Sequence, residues 1–466
     1  MLGSEDLHVV ILAAGKGTRM RSALPKVLHR AGGLPLIEWV VRLARSLAPR
    51  SITLVLGHGA DEVRARFSQA SDVQFVVQEP QLGTGHALLQ TRALLKGKGG
   101  RVVLLSGDVP LLTAATVRGL LEAQAAQRAA LVVATARVAN PTGYGRIVRE
   151  GARLTRIVEH RDASEAERAI DEINSGVYVF DLAPLFGALA RVGSANAQGE
   201  YYLPDLVGIF AQDGRAVDAQ VVTDADEIRG INTRAELAEV GRLLQGRTNQ
   251  ALMASGVTLV DPATTYIDPD VTIGQDSVIH PFVFIEGSTS IGANCEIHAG
   301  VRVVDAQIAQ NVKILNHSVI VQSTVGEGAD IGPFARLRPA SAVGERVHIG
   351  NFVEVKKSTL GAGTKVGHLS YIGDATVGAG VNIGAGTITC NYDGHQKHQT
   401  VIGDGAFVGS DSTLVAPVTI GSDAYVAAGS SITHDVPAGG LGIARARQAN
   451  KPGWATERAA TRAAKR

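Results

Sequence analysis

The sequence predicts an α/β domain with a mostly parallel sheet, followed by a helix and a parallel β-helix of hexapeptide repeats. Three observations support this fold class. Strand-like apolar runs alternate with helical stretches up to about residue 231. A helix-capping pattern at residue 233 precedes apolar residues with helical spacing. Farther along the chain, an aliphatic residue returns at every sixth position. We therefore expect three segments, residues 1–232, 233–255 and 256–466.

The first segment alternates strands with helical stretches, one from about Leu34 to Leu47 and another after Gly85. This alternation is typical of βαβ units, in which helices cover both faces of the sheet. Ligands of such domains bind beyond the carboxyl ends of the strands. The strand candidates are His8–Ala13, Ile52–Leu56, Val73–Val77, Val102–Leu105 and Leu131–Arg137.

The second segment is predicted to be a linker helix. Thr233 and Glu236 have the spacing of a capping box, in which each side chain bonds to the backbone N–H of the other residue. We expect a helix of about 20 residues that ends near Gly256. Its apolar side would be formed by Leu237, Val240, Leu244 and Leu252.

The third segment has the hexapeptide period of a β-helix, in which three short strands form one triangular coil. Aliphatic side chains point inward and stack about 4.8 Å apart, while Gly, Ala and Asn suit the corners. Weaker repeats at Val271, Ile279, Ile285, Ile291 and Ile297 place the start of the β-helix near Val257. The main positions are Ile331, Leu337, Val343, Ile349, Val355, Leu360, Val366, Ile372, Val377, Ile383, Ile402, Val408, Leu414, Ile420, Val426 and Ile432.

Composition limits the possible partners and compartment. The chain has 466 residues, a net charge of +1, 45% hydrophobic residues and 4% aromatic residues. So small a net charge argues against broad electrostatic capture of nucleic acid or membrane, and no apolar run reaches the roughly 18 residues of a membrane span. Cys295 and Cys390 cannot build a disulfide framework, and no secretory signal is evident. We expect a cytoplasmic protein with a solvated basic tail that ends at Arg466.

A glycine-rich loop follows the first strand. Met20 stands where a dinucleotide-binding G-x-G-x-x-G motif needs its third glycine, and no Walker G-K-[ST] occurs. Gly15 and Gly17 would let backbone amides approach phosphate oxygens, while Arg19 and Lys26 supply cations. The loop therefore predicts a phosphate site, although a plain strand-to-helix turn is the alternative.

Later strand ends carry polar groups suited to a nucleotide sugar. Asp108 is a natural Mg²⁺ ligand beside phosphates, although a turn residue before Pro110 would look the same. Gln78, Gln81 and residues 82–85 can contact a base edge through amides and backbone. Polar groups suited to a sugar occur at Gly143–Arg146, Glu159 and Asn174.

The β-helix carries charged residues that a structural repeat does not need. Residues 389–400 interrupt the period, and such an insertion usually lies at the binding face of a solenoid. His368 is a candidate base near neutral pH, although it could also be merely exposed on a coil. Arg338, Lys356 and Lys365 make the region cationic, which suits a phosphorylated sugar. Other polar positions are Arg336, Lys357, Tyr371 and Asn382.

The first segment resembles the sugar-1-phosphate nucleotidylyltransferases over nearly its whole length. The resemblance implies a Rossmann-like fold, UTP bound at the glycine loop and Lys26, and Mg²⁺ held by Asp108 and Asn232. The sugar phosphate would attack the α-phosphorus of UTP in line, without a protein nucleophile. Some members have an aromatic residue where Ser106 stands, so Ser106 is not assigned as a contact. The matching positions are Leu12, Gly15, Lys26, Gln78, Gln81, Gly83, Thr84, Gly107, Asp108, Gly145, Glu159, Asn174 and Asn232.

The third segment resembles the left-handed β-helix acyltransferases. Together, residues from about His8 to Trp454 resemble the bacterial N-acetylglucosamine-1-phosphate uridylyltransferase/glucosamine-1-phosphate N-acetyltransferases, which make a precursor of peptidoglycan and lipopolysaccharide. The resemblance implies a homotrimer with coenzyme sites shared between neighbours, and His368 as the general base. Arg338, Lys356, Tyr371 and Asn382 would hold glucosamine 1-phosphate. Acetyl-CoA would contact Ala385, Asn391, Tyr392, Ser410, Ala428 and Arg445.

The resemblance also implies an order of reactions. Acetyl transfer gives N-acetylglucosamine 1-phosphate, and uridylyl transfer then gives UDP-N-acetylglucosamine and pyrophosphate. Two alternatives stay open: a single-function sugar-1-phosphate nucleotidylyltransferase with a regulatory β-helix, and a β-helix that serves as a scaffold for partner proteins. Neither alternative needs His368, Lys356 or the acetyl-CoA contacts.

Overall fold

The computed structural model describes residues 7–465. Residues 1–6 and Arg466, which belong to the predicted first and third segments, lie outside the described residues. The chain divides into two compact units, one ending at Gln245 (unit 1) and one beginning at Gly246 (unit 2). The division falls within one long helix, Arg234–Ala254. The assignment of functions to the three predicted segments stays a prediction.

Unit 1 is built on a twisted sheet with the strand order β11-β7-β10-β6-β1-β4-β5, named by the bounds that follow. The strands are β1 Leu7–Ala13, β2 Arg30–Ala31, β3 Leu34–Pro35, β4 Ser51–Leu56, β5 Val73–Val77, β6 Arg101–Ser106, β7 Leu131–Arg137, β8 Arg146–Glu150, β9 Arg153–Val158, β10 Glu172–Asp181 and β11 Val217–Val221. Pairing is parallel along this order except for β10, which runs antiparallel to β6 and β7. The β8–β9 hairpin pairs with β10, and β2 pairs with β3.

Helices cover both faces of this sheet, as the alternation predicted. Val9 and Ile11 of β1 belong to one apolar cluster and Val10 to another, because successive side chains of a strand point to opposite faces. The five predicted strands are confirmed within one residue at each end. The α-helices are α1 Leu36–Ser46, α2 Ala60–Arg66, α3 Thr84–Leu89, α4 Arg92–Leu95, α5 Ala114–Gln127, α6 Glu165–Arg168, α7 Leu182–Leu189, α8 Asp205–Gln212, α9 Arg234–Ala254 and α10 Trp454–Ala463, and short 3₁₀ turns span Thr18–Met20, Lys26–Leu28 and Ala225–Ile228.

Helix α9 begins with the hydrogen bonds of a capping box. The backbone N–H of Glu236 donates to Thr233 Oγ1 at 3.2 Å, and that of Thr233 donates to Glu236 Oε2 at 2.9 Å. Val240 and Leu244 are buried in an apolar cluster of unit 1, and Leu252 packs against the β-helix core. The predicted helix start and its apolar side are thus observed.

Unit 2 is a parallel β-helix with three faces. Face 1 contains Thr258–Leu259, Val278–Ile279, Glu296–Ile297, Lys313–Ile314, Asp330–Ile331, His348–Asn351, Lys365–His368, Asn382–Ile383, Phe407–Val408, Tyr425–Val426 and Leu441–Gly442. Face 2 contains Tyr266–Ile267, Phe284–Glu286, Arg302–Val304, Val319–Val321, Arg336–Leu337, Glu354–Lys356, Tyr371–Gly373, Ile388–Cys390, Thr413–Val415 and Ser431–Ile432. Face 3 contains Thr272–Ile273, Ser290–Ile291, Gln307–Ile308, Thr324–Val325, Ala342–Val343, Thr359–Leu360, Ala375–Val377, Thr400–Ile402 and Val418–Ile420. This triangular architecture, with its hexapeptide period, is that of the left-handed β-helices.

The aliphatic hexad residues stack in three buried columns, one for each face. Ile331, Ile349 and Val366 pair in register on face 1, and all three are fully buried. Burying such a side chain stabilises the fold by about 1.5–3 kcal/mol. One predicted position is wrong: Val271 is buried at a corner, and Ile273 holds the column, in register with Ile291.

A second buried position, two residues before each column residue, was not predicted. It is occupied mainly by small residues such as Ser341, Ser358 and Ala406. The hydroxyl of Ser341 donates to the carbonyl oxygens of Arg338 and Val355, so it links adjacent coils without an unpaired polar atom. The position was missed because serine and alanine give no hydrophobic period.

The basic C-terminal stretch ends in helix α10, whose side chains are all exposed. Within residues 7–465, none of the helices combines the length and apolar character needed to cross a membrane.

Candidate functional sites

A cavity of about 600 Å³ opens beyond the carboxyl ends of β1 and β6, where the α/β alternation predicted a ligand site. Eight predicted nucleotide-site residues line it: Leu12, Gly15, Lys26, Gln78, Gln81, Gly83, Thr84 and Asp108. Gly107, also predicted, precedes Asp108 and donates its N–H to the Leu12 carbonyl oxygen at 2.8 Å. Ser106 lines the cavity as well.

The glycine loop shapes one wall of the cavity. Gly17 has a φ of +60°, and a β-carbon there would lie 2.6 Å from Lys26 Cβ, so only glycine fits beside that lysine. A β-carbon on Gly15 would meet nothing within 4 Å. The space beside Gly15 is therefore open to a ligand.

Lys26 and Asp108 line the cavity, and Asn232, distant from both in sequence, meets them through Lys26. The Lys26 ammonium forms an ion pair with Asp108 Oδ2 and donates to Asn232 Oδ1 at 3.3 Å. The Ile231 N–H donates to the Asp108 carbonyl oxygen at 3.1 Å, which holds the chain before α9 against the end of β6. The carboxylate oxygen of Asp108 and the amide oxygen of Asn232 both face the Lys26 ammonium. Oxygen ligands of these two kinds fit Mg²⁺.

Hydrogen bonds from Gln78 and Gly85 hold the turn before α3 in place. Gln78 is buried and donates through Nε2 to the Gly83 carbonyl oxygen at 2.9 Å. Gly85 N–H donates to the Tyr201 carbonyl oxygen at 2.8 Å, which brings the neighbouring Glu200 to the cavity wall. Glu200 was missed because no local motif marks it.

The predicted sugar contacts Gly145, Glu159 and Asn174 lie next to one another. They are not among the residues that line this cavity. Asn174 N–H donates to the Gly145 carbonyl oxygen at 2.9 Å, and a β-carbon on Gly145 would lie 3.2 Å from Glu159 Oε1. Asn174 Oδ1 accepts from Tyr178 Oη at 2.9 Å, which leaves its NH₂ group for a ligand. Burial raises the pKa of the Glu159 carboxyl, and the neighbouring Asp162 carboxylate adds to the rise.

In unit 2, part of the predicted sugar-phosphate set lies together on face 2. Arg338, Lys356 and Tyr371 come from three successive coils. Arg338 donates to Glu354 Oε1 at 2.9 Å. The inserted segment contributes Lys397, whose pKa is lowered by the adjacent Lys356 ammonium. Two neighbouring cations favour an anion such as a phosphate. Lys397 was not predicted, although the insertion that carries it was.

Asn382 and Lys365 do not join this group. They pair in register on face 1, whereas Arg338 and Lys356 lie on face 2. Lys365 instead begins the face-1 strand that ends at His368, and Lys397 is the further lysine that stands beside Lys356. Asn382 and Lys365 are separate from the face-2 group because residues of one coil can lie on different faces of the β-helix.

His368 ends a strand of face 1 and is exposed at the corner that leads to face 2. Its Nδ1 lies 2.6 Å from Asn351 Oδ1, and Asn351 pairs with it in register. Because an amide oxygen only accepts hydrogen bonds, Nδ1 carries the proton and Nε2 keeps its lone pair. Asn351 was missed because its role arises only from stacking.

The predicted acetyl-CoA contacts continue along the same corner. His368, Ala385, Ser410 and Ala428 each stand two residues after a face-1 column residue, in four successive coils. Asp411 N–H donates to the Ala385 carbonyl oxygen, Gly429 N–H to that of Ser410, and Arg445 Nη1 to that of Ala428 at 2.9 Å. We call this row from His368 to Arg445 the corner column.

Within the insertion, Asn391 is buried whereas the neighbouring Tyr392 is exposed. Asn391 is buried, donates to Asp374 and lies 3.5 Å from Tyr371 Oη. Tyr392 is 61% exposed, so its ring is free for a ligand. The insertion is closed by Asp393, whose pKa is lowered first by the Gln396 N–H and then by His398.

Fold and sites define a transferase with two parts, a nucleotidyltransferase unit and a hexapeptide β-helix unit. Three family models match the chain: the MobA-like NTP transferase domain over residues 9–173, the GMPPB C-terminal domain over 262–351, and the bacterial transferase hexapeptide (six repeats) over 399–434. The chain is 52% identical to the Bifunctional protein GlmU of Trichlorobacter lovleyi over 96% of its length and 97% of that protein. It is 50% identical to that of Brevibacillus brevis, over 97% of both chains, and 49% identical to that of Enterococcus faecalis, over 97% and 98%.

The chain therefore belongs to the GlmU family of bifunctional proteins, and it is a bifunctional transferase. This confirms the family predicted from the motifs. A solved structure, a putative glucose-1-phosphate thymidylyltransferase from Bacillus anthracis, is 19% identical with a TM-score of 0.43, covering 51% of this chain and 95% of the other. That likeness is too distant to support an argument.

Proposed function

We propose that unit 1 transfers a uridylyl group from UTP to N-acetylglucosamine 1-phosphate, and that unit 2 transfers an acetyl group from acetyl-CoA to glucosamine 1-phosphate. The observation that carries the proposal is the presence of two separate sites on one chain. One combines a glycine loop with a cation and two oxygen ligands, and the other combines a histidine with a cationic face. The product of unit 2 is then the substrate of unit 1.

In uridylyl transfer, a phosphate oxygen of the sugar attacks the α-phosphorus of UTP, and pyrophosphate leaves. The backbone of the glycine loop and the Lys26 ammonium bind the triphosphate, so the reacting groups are held in line. Asp108 and Asn232 would hold Mg²⁺, which neutralises phosphate charge when bound. Lys26 then contacts phosphate oxygens instead of the Asp108 carboxylate.

In acetyl transfer, the sugar amine attacks the thioester carbonyl carbon of acetyl-CoA. His368 Nε2 accepts the proton that the amine loses as the C–N bond forms. The C–S bond breaks, and the coenzyme A thiolate leaves and takes up a proton. Arg338, Lys356 and Lys397 bind the phosphate of the sugar, and the corner column binds the coenzyme.

We also propose a cytoplasmic homotrimer. The corner between faces 1 and 2 exposes Phe282, Phe334, Phe352 and Leu369, each about half or more exposed. A row of exposed apolar side chains favours association with another chain. Association would also bring Asn382, on face 1, to the sugar site on face 2 of a neighbouring chain.

One experiment separates this function from the regulatory and scaffold alternatives. The protein is incubated with glucosamine 1-phosphate, acetyl-CoA, UTP and Mg²⁺, and each component is omitted in turn. We expect UDP-N-acetylglucosamine only with the full set, and N-acetylglucosamine 1-phosphate without UTP. Failure to bind acetyl-CoA in calorimetry, with uridylyl transfer intact, would support a regulatory or scaffolding β-helix instead.

A further inference from the structure

Three potential metal ligands meet on the outer surface of face 1, away from the residues of the corner column. Glu296 and His298 flank the buried Ile297, and His280 follows Ile279 in the coil before. His298 Nε2 lies 3.2 Å from Glu296 Oε1, and His280 Nε2 lies 3.7 Å from the same oxygen. Among residues 7–465, these three residues form the one group of three or more His, Cys, Asp or Glu side chains whose ligand atoms all lie within 4.8 Å of one another.

The repeat of the β-helix creates this arrangement. The two imidazole rings stack with centroids 4.8 Å apart and planes inclined by 14°, because their residues occupy the same position of successive coils. Both Nε2 atoms therefore point the same way, toward one carboxylate oxygen. Each side chain is about one quarter to two fifths exposed, so the group is open to solvent on one side.

One atom of the group has an unsatisfied hydrogen-bonding capacity. His280 Nε2 is enclosed and has no hydrogen-bond partner, since 3.7 Å is too long for a hydrogen bond. A buried nitrogen without a partner in a native structure calls for an ion or a water molecule. Two imidazole nitrogens and a carboxylate oxygen are a common three-ligand set for Zn²⁺.

We propose that His280, Glu296 and His298 bind a divalent cation of the Zn²⁺ class, with water as a fourth ligand. Tetrahedral Zn²⁺ with bonds near 2.0–2.1 Å requires ligand atoms about 3.4 Å apart, so the side chains, whose ligand atoms lie within 4.8 Å of one another, must rotate to bring these atoms together. The cation links two adjacent coils near the start of the β-helix. This site is separate from Asp108 and Asn232, whose oxygen ligands favour Mg²⁺.

Lys313 limits the affinity of this site. Its Nζ lies 3.7 Å from Glu296 Oε2, the oxygen that does not face the histidines. The ammonium therefore leaves Oε1 available but repels an incoming cation. Removing this charge should tighten binding, and a misfolded variant could not produce such a gain.

The test is a titration of the metal-free full-length protein with Co²⁺, followed by visible absorption. A tetrahedral site with imidazole ligands absorbs strongly, whereas Co²⁺ at the oxygen ligands of unit 1 is octahedral and absorbs weakly. We expect strong bands in the parent protein and in His348→Gln, and at least a tenfold weaker affinity in His298→Gln. His348 is the matched control, since it lies on the same face and faces a single carboxylate, Asp330, at 3.4 Å.

Lys313→Ala should bind Co²⁺ about 3- to 10-fold more tightly than the parent protein. Competition with Zn²⁺ should abolish the bands, and both transferase activities should persist in His298→Gln. Absence of the bands from the parent protein would overturn the proposal. So would equal affinity in the parent and His298→Gln, or unchanged affinity in Lys313→Ala.

Discussion

The two candidate sites are assembled in opposite ways. In unit 1, Lys26, Asp108 and Asn232 come from distant parts of the chain and meet because the sheet order brings β1 and β6 side by side. In unit 2, His368 and Ala385 occupy the same position of successive coils. A site made by sheet topology depends on the whole fold, whereas a site made by a repeat depends mainly on local stacking. Variants of each site should therefore affect one activity and spare the other.

The largest effect is expected for Asp108→Ala. Loss of this proposed metal ligand should lower uridylyl transfer by about 10³-fold or more. Acetyl transfer should be unchanged, and both activities can be measured on one preparation by product chromatography. Asp72→Ala is the control, since Asp72 pairs with the exposed Arg45 outside the cavity. Near-normal uridylyl transfer in Asp108→Ala with Mg²⁺ present would refute the metal assignment.

His368→Ala should give the complementary result. Without the proposed general base, acetyl transfer should fall by about 10²–10³-fold while uridylyl transfer persists. His434→Ala, at an exposed histidine near the end of the β-helix, should leave both activities intact. Loss of both activities in a folded His368→Ala protein would show that the two sites are not independent.

Asn351→Ala tests how the β-helix orients the base. Without the Asn351 oxygen, His368 loses the hydrogen bond that holds its proton on Nδ1, so kcat of acetyl transfer should fall by about 10-fold with KM unchanged. Asn351→Asp keeps an oxygen acceptor and should recover much of this loss. Equal kcat values for Asn351→Ala and the parent enzyme would mean that the hydrogen bond has no role in positioning.

Lys397→Ala tests whether the insertion completes the phosphate site. Loss of a charged hydrogen bond to the sugar phosphate should raise the KM for glucosamine 1-phosphate by about 10-fold with a small change in kcat. Lys313→Ala, a lysine on face 1, is the control. A changed kcat with an unchanged KM would indicate that Lys397 does not bind the phosphate.

The smallest effect is expected for Glu159→Gln, which concerns stability. Burial raises the pKa of Glu159 above its unfolded value, so its favourable contribution is present below the unfolded pKa and is lost as pH rises through the folded pKa. At neutral pH the neutral glutamine should therefore raise the melting temperature of unit 1 by roughly 2 °C. The difference should vanish in acid, and thermal unfolding at several pH values would show it. A lower melting temperature at neutral pH would contradict the effect of burial.

The fold was predictable where the sequence repeats or alternates. Hexad residues such as Ile349 and Val366 are buried where the period placed them, and strands such as Val73–Val77 have the predicted bounds. The error at Val271 arose because an aliphatic residue also fits the second buried position, which the period does not distinguish. The predicted contacts around the glycine loop line one cavity, but Glu200 does not belong to any local pattern.

The sequence by itself determined the stacked architecture of unit 2 and the glycine loop of unit 1. A fixed period sets the register of neighbouring coils, and a short motif sets its own turn. Only the tertiary structure decided that Asn351 holds the imidazole of His368, that Lys397 stands beside Lys356, and that Asn382 lies on another face. Such contacts depend on which elements become neighbours in space, and this is settled by the packing of the whole chain.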